Sequence, residues 1–198
     1  MSTEIIQIPV GPMANFAYLI VDTATKKAAV VDPGWDSQKI LAKAAELGVT
    51  IDAIWLTHTH FDHVRDIPGI LASAPVPIWV HGLERDLLDD ELSAVTSFNE
   101  GDALTIGTQR ADILHTPGHS PGSVCFQIGD HLITGDALFV GAIGRTDLPG
   151  SDSREMGKSL KRLATLPDHL IIYPGHDYGD RPTSTIAHEK KTNPYMNL

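Results

Sequence analysis

A short stretch of the sequence carries four potential metal ligands within six residues: His58, His60, Asp62 and His63. The stretch reads THTHFDH and follows an apolar run, Ile51–Leu56, that is typical of a buried strand. In an extended chain residues i and i+2 point the same way, so the first two histidines can bind one ion together. The carboxylate and the third histidine follow where the chain turns. Imidazole and carboxylate ligands suit Zn²⁺, Fe or Mn²⁺ better than Ca²⁺ or Mg²⁺, so the stretch predicts a transition-metal site.

Three further potential ligands also come directly after predicted strands. His119 lies in the turn TPGHSPG, Asp136 follows TG at the end of a strand, and His176 follows YPG. Each of them alone is typical of an ordinary polar loop or turn. However, α/β proteins gather their sites where strands end, and the shared placement predicts that all these residues meet in one centre.

The composition is that of an ordinary globular protein, with 198 residues, 42% hydrophobic and 20% charged. The formal net charge of −10 disfavours nucleic acid as a partner. The N-terminus has no basic segment followed by a long apolar stretch, and no run is long enough to span a bilayer, so we expect no membrane association and a cytoplasmic location. Cys125 is the single cysteine, which excludes an intrachain disulfide and a cysteine-based zinc cluster. We expect it to be a buried, inert strand residue.

The elements that must position these residues are short strands and helices mixed along both halves of the chain. Strands are predicted at Glu4–Pro9, Asn15–Val21, Ala28–Val31, Ile51–Leu56, Pro77–Val80, Ala103–Ile106, Gln109–His115, Gly122–Ile128, His131–Thr134 and Leu170–Tyr173. Helices are predicted at Ser37–Leu47, in a segment ending at Leu71–Ala74, and at Leu83–Leu92, Ser159–Leu166 and Ser184–Lys191. With no linker between the halves, residues 1–198 are expected to form one α/β domain, in which two mixed sheets pack face to face with helices outside.

The segments HxHxDH, TPGHS, TGDALF and YPGHD, in this order and across nearly the whole chain, resemble the metallo-β-lactamase superfamily. The resemblance implies a four-layer αβ/βα sandwich with the metals at one edge. It implies one metal held by His58, His60 and His119, a second held by Asp62, His63 and His176, and Asp136 as a bridge between them. Asp32, in VDPG, matches an early aspartate that supports the ligands without binding metal. The histidines at 81, 115, 131, 169 and 188 match no ligand position.

Two metals bridged by an aspartate can hold a shared water molecule and lower its pKa toward neutrality, so that a metal-bound hydroxide attacks a substrate carbonyl. Asp136 as the bridge and Asp62 as a group that orients the nucleophile are therefore the predicted catalytic residues. The sequence offers no obvious separate general acid. This favours a leaving group that departs as an anion, such as a thiolate with an ordinary pKa of about 8.5, and hence a thioester substrate.

Thr116–Ser123 and Gly135–Phe139 resemble the glyoxalase II-like hydrolases, which cleave hydroxyacylglutathione thioesters. That resemblance implies two divalent ions, zinc first with iron or manganese as alternatives, and glutathione contacts from Arg145 and Tyr178. A surface ion pair is an equally good interpretation of Arg145. Asp147 stands where the group has a second tyrosine, and a longer helical C-terminal substrate domain is lacking, so we expect a more open, less selective thioesterase. A bridging aspartate departs from the β-lactamases proper, which disfavours antibiotic hydrolysis.

Two alternatives remain open. The segments GRTD and YPGHDY, followed by Asn193-Pro194, also resemble persulfide dioxygenases, which would hold a single Fe(II) through His58, His119 and Asp136 and oxidise glutathione persulfide. A catalytically silent binding protein is disfavoured because all seven ligands are present. A homo-oligomer is compatible with the sequence.

Overall fold

Two six-stranded sheets form the centre of the structure, a computed structural model that describes residues 3–89, 92 and 94–197. The first sheet follows chain order: β1 (Thr3–Val10), β2 (Asn15–Asp22), β3 (Lys27–Val31), β4 (Thr50–Trp55), β5 (Ile78–His81) and β6 (Val95–Phe98). The first three strands are antiparallel, and the pairs from β3 to β6 are parallel.

The second sheet contains β7 (Ala103–Ile106), β8 (Gln109–His115), β9 (Val124–Ile128), β10 (His131–Gly135), β11 (Ile171–Pro174) and β12 (Ser184–Thr185), also in chain order. Its pairs are antiparallel except for β10 and β11, which are parallel. Both sheets are therefore mixed, as the sequence predicted.

Helices cover the outer face of each sheet. They are α1 (Ser37–Leu47), α2 (Phe61–Val64), α3 (Ile67–Leu71), α4 (Ser153–Ala164) and α5 (Ile186–Thr192). Apolar residues of α1 and α3 pack on the first sheet, and those of α4 and α5 pack on the second. A third apolar cluster lies between the sheets and includes Tyr18, Trp55 and Phe126. The predicted four-layer metallo-β-lactamase fold is thereby confirmed.

Strand β2 shows how the sequence produces these layers. All eight of its residues are buried, because both faces of the first sheet are covered. Successive side chains point to opposite faces, so Phe16 and Tyr18 lie between the sheets while Ala17 and Leu19 face the helices. The run is therefore continuously apolar instead of alternating.

Two helices begin at residues other than the predicted ones. Helix α4 begins at Ser153 and not at Ser159, because the Asp152 side chain accepts hydrogen bonds from the Arg154 and Glu155 N–H groups at 2.8 and 3.2 Å and caps the helix there. The predicted helix Ser184–Lys191 begins two residues later. Its first two residues pair with β11, and the Thr185 hydroxyl then accepts from the His188 N–H at 3.2 Å.

The prediction of a helix at Leu83–Leu92 is wrong for the part of this segment that the structure describes, which holds a 3₁₀ turn at Arg85–Leu87. Residues 90 and 91 lie outside the described residues. The chain becomes extended at Leu88 and soon enters the edge strand β6, which was not predicted because half of it is exposed and polar. Strand β9 begins at Val124 instead of Gly122. Among the described residues, no helix has the length and apolar character needed to cross a membrane.

Candidate metal centre

The seven predicted ligands converge where strands of both sheets end. His58 and His60 follow β4, and Asp62 and His63 lie in the short helix α2 that comes next. The second sheet contributes the remaining three: His119 from the loop after β8, Asp136 directly after β10, and His176 just past β11. The two halves of the chain therefore each build part of one centre.

The first cluster is formed by His58, His60 and His119. One nitrogen of each imidazole lies within 4.8 Å of the others, and His60 Nδ1 is 2.8 Å from His119 Nε2. His58 Nε2 is buried and has no hydrogen-bond partner. A buried polar atom without a partner costs free energy, so this nitrogen fits a metal ligand better than an ordinary core histidine.

The second cluster is formed by Asp62, His63 and His176, whose ligand atoms also lie within 4.8 Å of one another. His176 Nε2 is 3.3 Å from both Asp62 Oδ2 and His63 Nε2. All three side chains are buried, which is unusual for a carboxylate unless it is paired or binds a cation.

Asp136 stands between the two clusters. Its Oδ2 atom is 3.3 Å from His119 Nε2 in the first cluster and 3.4 Å from His176 Nε2 in the second. Its Oδ1 atom is 3.4 Å from His63 Nε2 and has no hydrogen-bond partner. A Cβ atom on Gly175 would come within 2.2 Å of Asp136 Oδ1, so a glycine is needed beside this carboxylate. The arrangement fits a carboxylate shared by two ions.

Backbone carbonyl groups orient two of the imidazoles. His119 Nδ1 donates to the Arg145 carbonyl at 2.8 Å, and His176 Nδ1 donates to the Met13 carbonyl at 2.9 Å. A carbonyl oxygen can only accept, so in each ring Nδ1 carries a proton and Nε2 is the nitrogen that faces the centre. Such outer partners usually fix the tautomer and orientation of metal-binding histidines.

Asp32 orients two further imidazoles, those of His63 and His58. Its carboxylate accepts from the Thr57 N–H at 2.8 Å and from the Thr57 hydroxyl at 2.6 Å, and it lies 3.1 Å from His63 Nδ1. Thr57 Oγ1 in turn lies 3.1 Å from His58 Nδ1. Asp32 thus contacts the Nδ1 atom of His63 directly and that of His58 through Thr57, so it supports one histidine of each cluster. The family resemblance implies such a supporting role for it.

The protonation behaviour of the cluster follows from its burial and crowding. Burial lowers the pKa of His58, and the neighbouring imidazoles lower it further. Burial would also lower the pKa of His176, but the carboxylates of Asp136 and Asp62 outweigh it and raise that pKa to about 10. Burial favours the neutral form of Asp136, yet His63 and His176 hold its pKa below the ordinary value. In the absence of a metal, His176 therefore keeps a proton beside the carboxylates of Asp136 and Asp62. A divalent ion can take the place of that proton.

Taken together, the buried nitrogen and carboxylate donors fit a divalent transition metal. The other histidines are placed elsewhere: His81 and His115, for example, stack on each other with ring centroids 4.4 Å apart. Cys125 is fully buried, and burial raises its pKa to about 12, in agreement with an inert thiol.

A cavity of about 500 Å³ opens beside the metal ligands. Its wall is mostly apolar and is formed by Met13, Phe61, Phe139, Ala142, Ile143, Gly144, Leu148 and Pro149, together with Arg145, Tyr178 and five of the seven predicted ligands, His60, Asp62, His119, Asp136 and His176. Both predicted substrate-binding residues therefore line the cavity. The Tyr178 ring stacks on His176, with centroids 4.7 Å apart, and its hydroxyl donates to the Met13 carbonyl at 3.2 Å.

The Arg145 guanidinium is already paired. Its Nε and Nη2 atoms donate to the two carboxylate oxygens of Asp147 at 2.9 and 3.0 Å, and both side chains are about 70% exposed. Among the described residues that line the cavity, Arg145 is the one lysine or arginine, so its neighbour largely neutralises the positive charge that could attract an anionic substrate.

Sequence reasoning missed several residues that support the site. Asn15, the first residue of β2, donates from Nδ2 to Asp62 Oδ2 at 2.9 Å. Glu189 in helix α5 accepts from the Gly141 N–H at 2.8 Å, and Asn193, directly after that helix, donates to the Ala142 carbonyl at 3.1 Å, so both hold the cavity wall. A polar residue that opens an otherwise apolar strand was the available signal for Asn15. Asn193 was noted only as part of a resemblance, and Glu189 gave no signal.

A protein-family model described as the metallo-beta-lactamase superfamily matches residues 10–176. The probable metallo-hydrolase YqgX of Bacillus subtilis is 35% identical over 209 aligned positions, covering 96% of each chain. The probable polyketide biosynthesis zinc-dependent hydrolase BaeB of Bacillus velezensis is 33% identical over 186 positions, covering 93% of this chain and 83% of that one.

Solved structures are similar over almost the whole chain. ETHE1 from Myxococcus xanthus is 32% identical with a TM-score of 0.85, covering 96% of this chain and 83% of that one. The BLEG-1 B3 metallo-beta-lactamase is 33% identical with a TM-score of 0.88, covering 98% and 100%. TTHA1623, solved in a di-iron-bound form, is 33% identical with a TM-score of 0.85, covering 96% and 99%.

Proposed function

Since the chain belongs to the metallo-beta-lactamase superfamily, we propose that it is a metal-dependent hydrolase with two divalent ions that cleaves thioesters. The observation that carries the proposal is the position of Asp136, whose carboxylate lies within 3.4 Å of ligand nitrogens in both clusters. Relatives named as zinc-dependent or metallo-hydrolases support the reaction class, and the di-iron form of TTHA1623 supports two ions.

Two divalent ions held here would supply a water molecule of lowered pKa and polarise the substrate carbonyl. Asp62 lines the cavity beside them, with its Oδ2 atom held by Asn15 and its pKa kept low by His176 and His63 against the effect of burial. It is thus an ionised carboxylate in a fixed orientation, suited to accept a hydrogen bond from the attacking water and so to orient it. The apolar cavity wall positions the acyl or thiol part of the substrate.

The character of the cavity supports a thioester over an amide. An amine leaving group needs a proton donor, whereas a thiolate with an ordinary pKa of about 8.5 can leave as an anion. Apart from the metal ligands, the titratable side chains described in the cavity wall are Arg145 and Tyr178. The first is ion-paired, and the hydroxyl of the second is bound to the Met13 carbonyl with a pKa raised by burial. Neither is placed as a proton donor to a leaving group.

For the substrate we propose a small thiol-derived thioester, with hydroxyacylglutathione thioesters of the glyoxalase II type as the first candidates. The apolar wall would accommodate an acyl chain, and Arg145 and Tyr178, two exposed residues of the same wall, would contact a polar thiol moiety. Because Asp147 pairs with Arg145, we expect weak selection for the negative charge of glutathione and a broad range of thiols.

A second candidate is oxidation of glutathione persulfide with a single Fe(II). The similarity to ETHE1 from Myxococcus xanthus favours this candidate. A single Fe(II) would be held by His58, His119 and Asp136, and His119 Nε2 lies 3.3 Å from Asp136 Oδ2. The complete second cluster does not separate the two candidates, because the seven ligand residues occur in both groups that the sequence resembles.

The deciding experiment combines elemental analysis of the purified protein with a hydrolysis assay on S-D-lactoylglutathione. Two metal equivalents and thioester cleavage are expected. One iron per chain, no cleavage and oxygen uptake with glutathione persulfide would transfer the proposal to the dioxygenase. A β-lactam tested in parallel addresses the activity named for BLEG-1, and we expect little turnover of it because an amine must leave.

Replacing the bridging carboxylate tests the proposal at its centre. In Asp136→Ala we expect loss of dinuclear loading and a drop in kcat of at least about 1000-fold, or about 4 kcal/mol in the barrier. His169→Ala is a suitable control, since that exposed histidine is paired with Asp130 and neither residue lines the cavity. Full activity and two bound ions in Asp136→Ala would contradict the proposal.

A further inference from the structure

Glu84 is a completely buried carboxylate outside the set of metal ligands. It lies in the turn after β5, where its N–H donates to the His81 carbonyl at 2.8 Å. An acidic side chain is seldom fully buried unless its charge is compensated. Its environment therefore calls for an explanation.

The Glu84 carboxylate connects the two loops that carry the first cluster. Its Oε2 atom accepts from the N–H at 3.1 Å and from the hydroxyl of Thr59, the residue between His58 and His60. Its Oε1 atom accepts from the Ser120 hydroxyl at 2.6 Å and from the Gly122 N–H at 2.8 Å. Ser120 directly follows His119, so one side chain ties together all three histidines of that cluster.

All four partners of Glu84 are donors. The Ser120 hydroxyl gives its proton to Glu84, while Ser123 Oγ accepts from the Ser120 N–H at 3.1 Å and can donate to Ser120 Oγ at 2.7 Å. Four donors directed at two oxygens are the partners that an ionised carboxylate requires. The Glu84 side chain is also packed closely against the loop: a Cβ atom on Gly122 would come within 2.4 Å of Glu84 Cγ.

The second cluster has different supports. Asp62 is held by Asn15, His63 by Asp32, and His176 by the Met13 carbonyl, and none of these contacts involves Glu84. The Glu84 contacts therefore hold the first half of the centre and these contacts hold the second, while Asp32 supports His63 directly and His58 through Thr57.

We propose that Glu84 is a positioning residue for the three-histidine half of the centre, which sets the separation of His58 and His60 from His119 and thereby the affinity of that half for its ion. The inference rests on the proposed metal-dependent function. It predicts that a change at Glu84 weakens one of the two ions selectively and leaves the ion of the Asp62–His63–His176 half in place.

Glu84→Gln is the sharpest test because the side chain keeps its shape. Each carboxylate oxygen accepts from one backbone N–H, so the amide NH₂ must face either the Thr59 or the Gly122 N–H, and one buried donor loses its partner in both orientations. Loss of such an outer contact typically lowers metal affinity about 10- to 100-fold. We expect that loss for one ion, and less than about threefold for the other, by competition with a chelator.

Asp22→Asn is the matched control. Asp22 is also fully buried and also accepts from two backbone N–H groups and two hydroxyls, those of Ala24, Thr25 and Thr108. It ends β2, while Asn15 at the other end of the same strand contacts Asp62. This variant should lower Tm as Glu84→Gln does, with both metal dissociation constants unchanged.

The readout is the number and affinity of bound Zn²⁺ ions together with the visible spectrum after Co²⁺ substitution, which a general loss of stability does not alter. A changed Co²⁺ spectrum and one weakened ion in Glu84→Gln would support the proposal. Ser120→Ala and Thr59→Val, which each remove one hydroxyl donor, should show a smaller effect on the same ion, and they decide the question should Glu84→Gln fail to fold. Wild-type affinities in these variants, or equal weakening of both ions, would overturn it. A wild-type protein that binds no divalent ion would instead refute the proposed function itself.

Discussion

Residues of one type acquire opposite properties in this centre because of their neighbours. His58 is surrounded by other imidazoles and is buried, so its pKa falls. His176 is also buried, but it faces the carboxylates of Asp62 and Asp136, and its pKa rises to about 10. The His58 imidazole can therefore bind an ion at neutral pH, whereas the His176 imidazole must first lose a proton. Metal binding should therefore release protons.

This difference predicts how the stability of the metal-free protein depends on pH. The pKa of His176 is about 10 in the folded chain and has an ordinary value near 6.5 in the unfolded chain. Because the folded value is the higher one, the stabilisation is complete below pH 6.5 and is lost as the pH rises toward 10. Tm of the chelator-treated protein should fall over that range, and His176→Gln should flatten the decline. An identical slope in the variant would contradict the assignment.

The ion pair at the mouth of the cavity predicts a change in specificity. In Asp147→Ala the Arg145 guanidinium is freed, so KM for thioesters of anionic thiols should fall while kcat stays within about twofold. Arg145→Ala should raise the same KM by no more than about fivefold, since exposed ion pairs contribute about 0.2–1 kcal/mol. A thioester of an uncharged thiol serves as the control substrate. Unchanged KM values in both variants would remove Arg145 from substrate binding.

At the scale of elements, the site depends on how closely loops approach one another. The loop after β3 passes directly against α2: a Cβ atom on Gly34 would come within 1.6 Å of the Asp62 carbonyl oxygen and 3.0 Å of His63 Cα. That contact is between backbone atoms and cannot be relieved by a side-chain rotation. The placement of two metal ligands therefore depends on a glycine that binds nothing itself.

Gly34→Ala should accordingly destabilise the protein by about 1–3 kcal/mol and reduce its metal content, because α2 must shift. Gly157→Ala is the matched control. Gly157 lies within α4 with open space around its Cα, so alanine should stabilise that helix by up to about 1 kcal/mol. Thermal unfolding and metal analysis of both variants check the expectation; two variants that behave alike would contradict it.

At the scale of the whole molecule, the metal centre joins the two sheets. The first sheet leads into His58, His60, Asp62 and His63, and the second into His119, Asp136 and His176. Bound ions would therefore connect the two halves of the sandwich in addition to the apolar layer between the sheets. We propose on this basis that residues 1–198 unfold as a single domain.

Removal of metal should lower Tm without splitting the transition. Free metal at 100 times its dissociation constant stabilises the folded state by about 2.7 kcal/mol, which corresponds to roughly 5–10 °C for a chain of this size. Trp55, packed against Phe126 between the sheets, gives a fluorescence signal to compare with circular dichroism. Coincident transitions are expected before and after chelation, and separate ones would indicate two independently folding units.

The amino-acid sequence by itself was enough to predict most strands, the layered fold and the group of histidines and aspartates that comes together where the strands end. These features are local or periodic. The HxHxDH segment places four potential ligands within six residues, and an alternating or continuous apolar run indicates whether one or both faces of a strand are buried. Strand β2 and the residues after β4 were predictable for this reason.

Only the tertiary structure decided which polar residues support those ligands. Asn15 contacts Asp62 across 47 positions, and Glu84 contacts Ser120 across 36, so no local pattern announces either pair. Arg145 and Asp147 are a different case, because they are only two positions apart and an ion pair was one of the two interpretations of Arg145 that the sequence allowed; the structure shows that this pair forms. A hydrogen bond depends on distance and direction in three dimensions, whereas the sequence records order along the chain, and the two coincide only over a few residues.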